Sequence, residues 1–272
     1  MKKYLSIFAL LLVLGSCGNS GSSGSSDTVS TFIPAPSQTK AESLHGLELP
    51  YMYGEKGSII EHMGYTLSYN EKWRIPNWVA WELLDSELYG DFDRAEKFTP
   101  DPQWKGRQAY DSDYTGSGWD RGHMAPSGDM KWSSQTMKEC FYLTNVCPQN
   151  HNLNSGVWND LEKLTRKEAR YYGCVWVCCG PVVDKGLGTA GKNKVMVPDG
   201  FFKALLTRKK DGTYASIGFY FPNEAGNRPL GDYAMSIDEL EAFTGMDFFV
   251  NLDIKEQEKA EKSYRLKDWN IK

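Results

Sequence analysis

Short alternating or continuous apolar segments recur along the chain and predict strands at Ser58–Met63, Tyr65–Tyr69, Trp78–Leu84 and Phe141–Val146. Further strands are expected at Cys174–Gly180, Lys194–Val197, Phe201–Thr207 and Tyr214–Phe221. One stretch has helical spacing instead. Between Ser155 and Tyr172, Trp158, Leu161, Leu164 and Ala169 form an apolar stripe, which Gly173 ends. A shorter helix is predicted at Ile237–Phe243, with Ser236 as N-cap and Glu239 three residues later as its capping-box partner. From Asp91 to Gly118 no period holds, and Asp, Pro, Gly and aromatic residues mark a long irregular connection of the kind that often carries function. Strands on both sides of one long helix imply an α+β fold with a mostly antiparallel sheet.

The N-terminus follows a different pattern. Lys2 and Lys3 precede an apolar run from Leu5 to Leu14, too short for a comfortable membrane span, and Leu14-Gly15-Ser16-Cys17 comes next. This predicts an export signal over residues 1–16, resembling a bacterial lipobox, with Cys17 as the lipidated residue and a periplasmic or cell-surface location. The Gly/Ser-rich segment that follows is expected to be a flexible tether over 17–45, leaving 46–272 as one globular domain. With 40% hydrophobic and 13% aromatic residues the chain can bury one substantial core. Net charge is -4, or -6 without Lys2 and Lys3, so no global basic field draws the protein to nucleic acid. A polyanion would have to be held by a local Arg/Lys cluster or a metal ion. Cys140, Cys147, Cys174, Cys178 and Cys179 lack zinc-ligand spacing and lie in or beside apolar runs. Buried free thiols are favoured slightly over a disulfide, although an exported protein could form one.

Two constellations carry chemistry. In GSGWDRGHMAPSGDM, Asp120-Arg121-Gly122-His123 supplies a guanidinium for a phosphate oxygen, a glycine that admits close backbone approach, and an imidazole able to take a proton from water. In TNVCPQNHNLNSGVWNDLEKLTR, Asn154 offers a hard amide oxygen to a divalent ion that keeps most of its waters, as magnesium does. Its plainer role would be to cap the helix that starts at Ser155. Glu162 and Arg166 share a helix face, where an exposed ion pair contributes roughly 0.2–0.5 kcal/mol. In the functional alternative Glu162 orients waters on the ion and Arg166 holds phosphate.

These motifs are similar to those of the DNA/RNA non-specific endonuclease family, the ββα-metal nucleases, and the resemblance continues through VWVCCGPVV, KVMVPDGFFKALL and SIDELEAFTGMDFF. It implies that His123 is the general base, that Arg121 contacts phosphate and supports the site, and that Asn154 is the magnesium ligand, with manganese a possible substitute. Glu162 and Arg166 match the family's glutamate and second arginine. The upstream phosphate-binding arginine matches Arg94, with Arg107 a weaker choice. Asn145 and Gln149 match structural positions, and Asp120 is assigned an orienting or structural role because Asn154 already supplies the metal ligand. The implied activity is hydrolysis of DNA and RNA with little sequence preference, since every named group addresses the phosphate. The alternatives are a surface nucleic-acid-binding lipoprotein on a nuclease fold, and an adhesive lipoprotein binding glycans through exposed aromatic residues.

Overall fold

The computed structural model describes residues 46–54 and 57–272. The expected signal, Cys17 anchor and tether lie outside these residues. No helix among the described residues is long and apolar enough to cross a membrane.

Seven strands form one sheet: β1 (Ser58–Glu61), β2 (Thr66–Asn70), β3 (Ile75–Leu84), β6 (Cys174–Val182), β7 (Gly200–Arg208), β8 (Tyr214–Pro222) and β9 (Ala234–Met235). Their spatial order is β9-β8-β7-β6-β3-β2-β1 and every pairing is antiparallel. A separate antiparallel pair, β4 (Asp120–His123) and β5 (Val146–Gln149), lies in the connection between β3 and β6. It leads into α1 (His151–Ser155) and α2 (Val157–Tyr172). The C-terminal part adds α3 (Ile237–Thr244) and α4 (Ile254–Glu261).

The two-residue period of the central strands divides their side chains between two cores. Val79, Trp81, Val175, Val177, Cys179, Phe201, Leu205, Ile217 and Phe219 join the core that includes Trp158 and Leu161 of α2. Trp78, Ala80, Trp176, Cys178, Phe202, Ala204 and Leu206 join the opposite core with Ile237 and Leu240 of α3 and Ala260 of α4. Near-continuous apolar runs follow from covering both faces. The α+β class and the largely antiparallel sheet are as the pattern predicts, with α2 packed against one face.

Two elements differ from expectation. The run Phe141–Val146 is not a strand: Leu143–Asn145 form a 3-10 turn, and the strand begins at Val146 and continues through Pro148. Thr144 and Asn145 explain the turn, because their buried side chains bond to groups outside any ladder. Thr144 Oγ1 donates to Asp101 Oδ2 at 2.6 Å. Asn145 Nδ2 donates to the Ala125 and Cys140 carbonyls at 2.9 and 2.8 Å, and its Oδ1 accepts from Ala125 N at 2.9 Å. Nor does the long helix begin at Ser155. Gly156, with φ -98° and ψ -119°, separates α1 from α2 and precedes the first residue of α2. The predicted capping box is present, with Ser236 Oγ accepting from Glu239 N at 3.2 Å and Glu239 Oε2 accepting from Ser236 N at 2.8 Å. The five cysteines among the described residues are all free thiols, and four of them are buried.

Asn145 clamps the start of β5 to the segment after His123, so Asn145→Ala leaves three buried backbone groups without their partner. Each such group costs about 1–3 kcal/mol. The expected loss of at least about 3 kcal/mol is read as a lower urea midpoint with an unchanged slope.

Candidate active site

Pairing of β4 with β5 sets the register Asp120↔Gln149, Arg121↔Pro148, Gly122↔Cys147 and His123↔Val146. The glycine is needed for a reason the sequence does not reveal. A Cβ at position 122 would overlap the Gln149 side chain, so the strand pairing itself requires a glycine here. Arg121 and His123 both meet Phe98: the Arg121 guanidinium carbon lies 5.8 Å from its ring centroid and the His123 ring 5.0 Å.

His123 is 8% exposed, lies against Phe141 at 4.7 Å between centroids, and has no hydrogen-bond partner on Nε2. Burial pushes its pKa down to about 3, helped by the nearby Arg94 guanidinium, so the imidazole is neutral at neutral pH. Arg94 stands over Phe141 at 4.8 Å and donates through Nη1 to Ser127 Oγ at 2.5 Å. Its charge also acts on Glu162. Arg107, the weaker choice, is bound to the exposed Glu71 at 3.1 Å.

Arg121 is held by three bonds: Nε to Asp111 Oδ1 at 2.6 Å, and Nη2 to Asp111 O at 2.9 Å and Thr115 Oγ1 at 3.0 Å. No partner is assigned to Nη1 among the described residues. Asp120, one residue earlier, accepts on Oδ2 from Asn154 Nδ2 at 2.9 Å and pairs with His151 Nδ1 at 2.9 Å. A carboxylate only accepts, so this bond fixes the amide nitrogen of Asn154 toward Asp120 and leaves Oδ1 for another ligand. Asn154 belongs to α1, whose N-cap is Asn150. It therefore caps neither helix.

Glu162 and Arg166 do not pair with each other. Arg166 Nη1 donates to the buried Asp129 Oδ1 at 2.7 Å, and Asp129 Oδ2 accepts from Trp81 Nε1 at 3.1 Å. A Cβ at Gly128 would lie 2.6 Å from Arg166 Nη1, so this pairing also requires glycine. Half-buried Glu162 has its carboxyl pushed up to about 7 by desolvation, reinforced by Asp129 and opposed by Lys203, Arg166 and Arg94.

Lys203 was not among the expected site residues. It is 1% exposed, its ammonium lies 4.2 Å from the Trp158 ring centroid and 5.7 Å from that of Trp81, and its charge acts on both Glu162 and Asp129. The available signal is parity: in FFKALL, Lys203 occupies the same strand face as Phe201 and Leu205. Asp129 likewise had no assigned role, although SGDM lies beside the DRGH motif.

Thus Arg94 links a neutral, unpartnered imidazole to a cluster in which Arg94, Arg166 and Lys203 act on Glu162, while the strand that carries the imidazole orients the Asn154 amide. The profile of the DNA/RNA non-specific endonucleases matches residues 49–254, over the elements that build this arrangement. The chain belongs to the DNA/RNA non-specific endonuclease family. It is 38% identical over 209 residues to human mitochondrial Nuclease EXOG, covering 71% of this chain and 57% of that protein. Human mitochondrial Endonuclease G is 36% identical over 202 residues, covering 69% of this chain and 68% of that protein. A nuclease from Nostoc sp. is 34% identical over 201 residues, covering 69% and 72% respectively. The fold resembles that in a crystal structure of an EndoG/EndoGI complex, with a TM-score of 0.69 and 28% identity over 75% of this chain and 91% of that one. The ββα-metal nuclease fold is thereby established. This family member spans little more than half the length of Nuclease EXOG.

The depressed His123 pKa has a signed consequence for stability. Between about pH 6.5 and 3 the unfolded chain takes up a proton that folded His123 refuses, so stability is lost as pH falls through that window. From pH 6.5 to 4.5 the wild type should lose roughly 2–3 kcal/mol more than His123→Leu, measured by urea unfolding at each pH.

Proposed function

We propose that this chain is a metal-dependent endonuclease hydrolysing phosphodiester bonds of DNA and RNA with little sequence specificity, and that His123 is its general base. The observation that supports this most strongly is the unpartnered, neutral His123 Nε2 beside Arg94, on the strand whose Asp120 orients Asn154. A neutral imidazole with a free ring nitrogen can accept a proton from an attacking water. The excess positive charge of Arg94, Arg166 and Lys203 over Asp129 and Glu162 suits a phosphodiester anion.

A divalent cation fits the residues present because Asp120 engages the Asn154 amide nitrogen and leaves its oxygen for a hard ion. Magnesium, or manganese, would be held by Asn154, with Glu162 beside it. When bound, such an ion would neutralise charge developing on the phosphate and leaving oxygens. The remaining chemistry belongs to the side chains. His123 receives the proton of the attacking water. Arg94 and the free Nη1 of Arg121 hold phosphate oxygens, while Arg121 is kept in position by Asp111 and Thr115. Arg166 contributes positive charge from its anchored position on Asp129. As phosphate enters near Arg94, its negative charge offsets one cause of the low His123 pKa and raises the basicity of the imidazole.

Phosphate-directed contacts predict weak sequence discrimination and binding that falls as salt rises. We further propose that the chain is exported and lipid-anchored through Cys17, on the strength of the basic, apolar and Leu-Gly-Ser-Cys run at its N-terminus. Radiolabelled palmitate incorporation should be lost in Cys17→Ser; equal labelling would overturn the anchor.

Plasmid nicking tests the catalytic reading. His123→Ala should lower the rate by about 10²- to 10⁴-fold. Activity equal to wild type would remove His123 from the mechanism. Wild-type nicking should stop in EDTA, and Asn154→Ala should require more magnesium for half-maximal rate. An unchanged magnesium titration would instead leave Asn154 a structural partner of Asp120. Lys203→Met removes a charge that favours ionised Glu162, so the pH-rate limb belonging to Glu162 should move upward; an unmoved limb would exclude that coupling.

A further inference from the structure

Across the sheet from His123, α3 and α4 pack into the other core through Ile237, Leu240 and Ala260. At their junction, Asp238, Glu241 and Glu261 each bring a carboxylate oxygen within 4.8 Å of the other two. Asp238 is exposed, Glu241 half-buried and Glu261 only 5% exposed. Among the described residues, no Lys, Arg or His forms an ion pair with any of them. Glu261 Oε1 is buried with no hydrogen-bond partner, although its carboxylate faces two other acids. Such a group is costly to bury and needs a compensating cation or proton.

We propose that Asp238, Glu241 and Glu261 form a divalent-cation site of the calcium type that ties α4 to α3. The unpartnered Glu261 oxygen is the buried ligand, Glu241 the half-buried one, and Asp238 the ligand from the solvent side, where water completes the coordination. Glu241 Oε1 accepts from Phe248 N at 2.8 Å, which fixes that side chain in place. Asp247 adds negative charge nearby while its Oδ1 is occupied by Gln257 Nε2 at 2.8 Å, so it strengthens the field. Calcium takes six to eight oxygens at about 2.3–2.6 Å, so oxygens on opposite sides of the ion stand roughly 4.6–5.2 Å apart. Three carboxylates within 4.8 Å of one another, completed by water, suit this flexible coordination, whereas magnesium demands near-octahedral geometry and is usually held by one or two carboxylates.

Without a cation, burial and the neighbouring acids raise the carboxyl of Glu261 to about 9 and that of Glu241 to about 7. The ion takes the place of these protons, which are released as it binds. The last turn of α4 is already attached to β8 by Ser216 Oγ, which donates to Ala260 O at 2.7 Å. The cation would add a direct link between α4 and α3.

Melting temperature and calorimetric titration with calcium chloride test the site, with sodium chloride matching the ionic strength. Asn154→Ala serves as the background in which the proposed catalytic ligand is absent. Both wild type and Asn154→Ala should bind calcium and melt about 3–6 °C higher at ~10 mM calcium, for a dissociation constant of ~1 mM. Asp238→Asn with Glu241→Gln, and separately Glu261→Gln, should fold and lose most of this gain. No calcium-dependent shift in wild type and Asn154→Ala would overturn the proposal, as would a gain of wild-type size in the carboxamide variants. Because calcium here is read from stability, failure of the nuclease reading would leave this result unaffected.

Discussion

Desolvated charge between the sheet and α2 is the constraint on which the candidate site depends. Lys203 projects from the middle of an otherwise apolar strand, and Asp129 is as deeply buried. An unpaired charge in such surroundings is strongly disfavoured, so each needs partners. Arg166 and Trp81 bond to Asp129, while Trp158 and Trp81 present their rings to Lys203. The cluster therefore fixes the face of α2 and, through Arg166 and Gly128, the segment after DRGHMAP. It also places Glu162 where its ionisation depends on cations from three separate parts of the chain.

The other half of the site depends on strand register. Gln149 lies against Gly122, Asp120 bonds to Asn154, and Asn145 holds the chain immediately after His123. These contacts hold the strand that carries the imidazole and orient the Asn154 amide, joining two motifs that are distant in sequence. Positioning before substrate arrives reduces the ordering needed during reaction. Arg94 comes from the irregular connection and bonds to Ser127, covering the same region from the solvent side.

Much of this was legible in the sequence because burial imposes periods. The central strands and the apolar stripe of α2 follow directly from side chains that must face a core, and Ser236 with Glu239 announces α3. The turn at Leu143–Asn145 was not legible, since it depends on Asn145 reaching Ala125 and Cys140. The break at Gly156 was hidden because the glycine runs straight into Val157, Trp158 and Leu161 of the apolar stripe, with no proline to mark a boundary. At the site, His123, Arg121, Asn154 and Glu162 stood out by residue type and resemblance. Their partners did not: Asp111, Asp129, Thr115 and Lys203 acquire meaning only when the fold brings them together. The ion pair that helical spacing permits between Glu162 and Arg166 does not form, because the buried Asp129 takes Arg166 instead.

The fold buries His123 as a neutral imidazole with Nε2 free of any hydrogen-bond partner. NMR titration of the imidazole resonances, assigned by their loss in His123→Ala, measures this state directly. The His123 midpoint should lie far below 6.5 in the free protein and move upward when a non-hydrolysable phosphodiester analogue binds. A midpoint at or above 6.5 in the free protein, or one indifferent to the analogue, would contradict it.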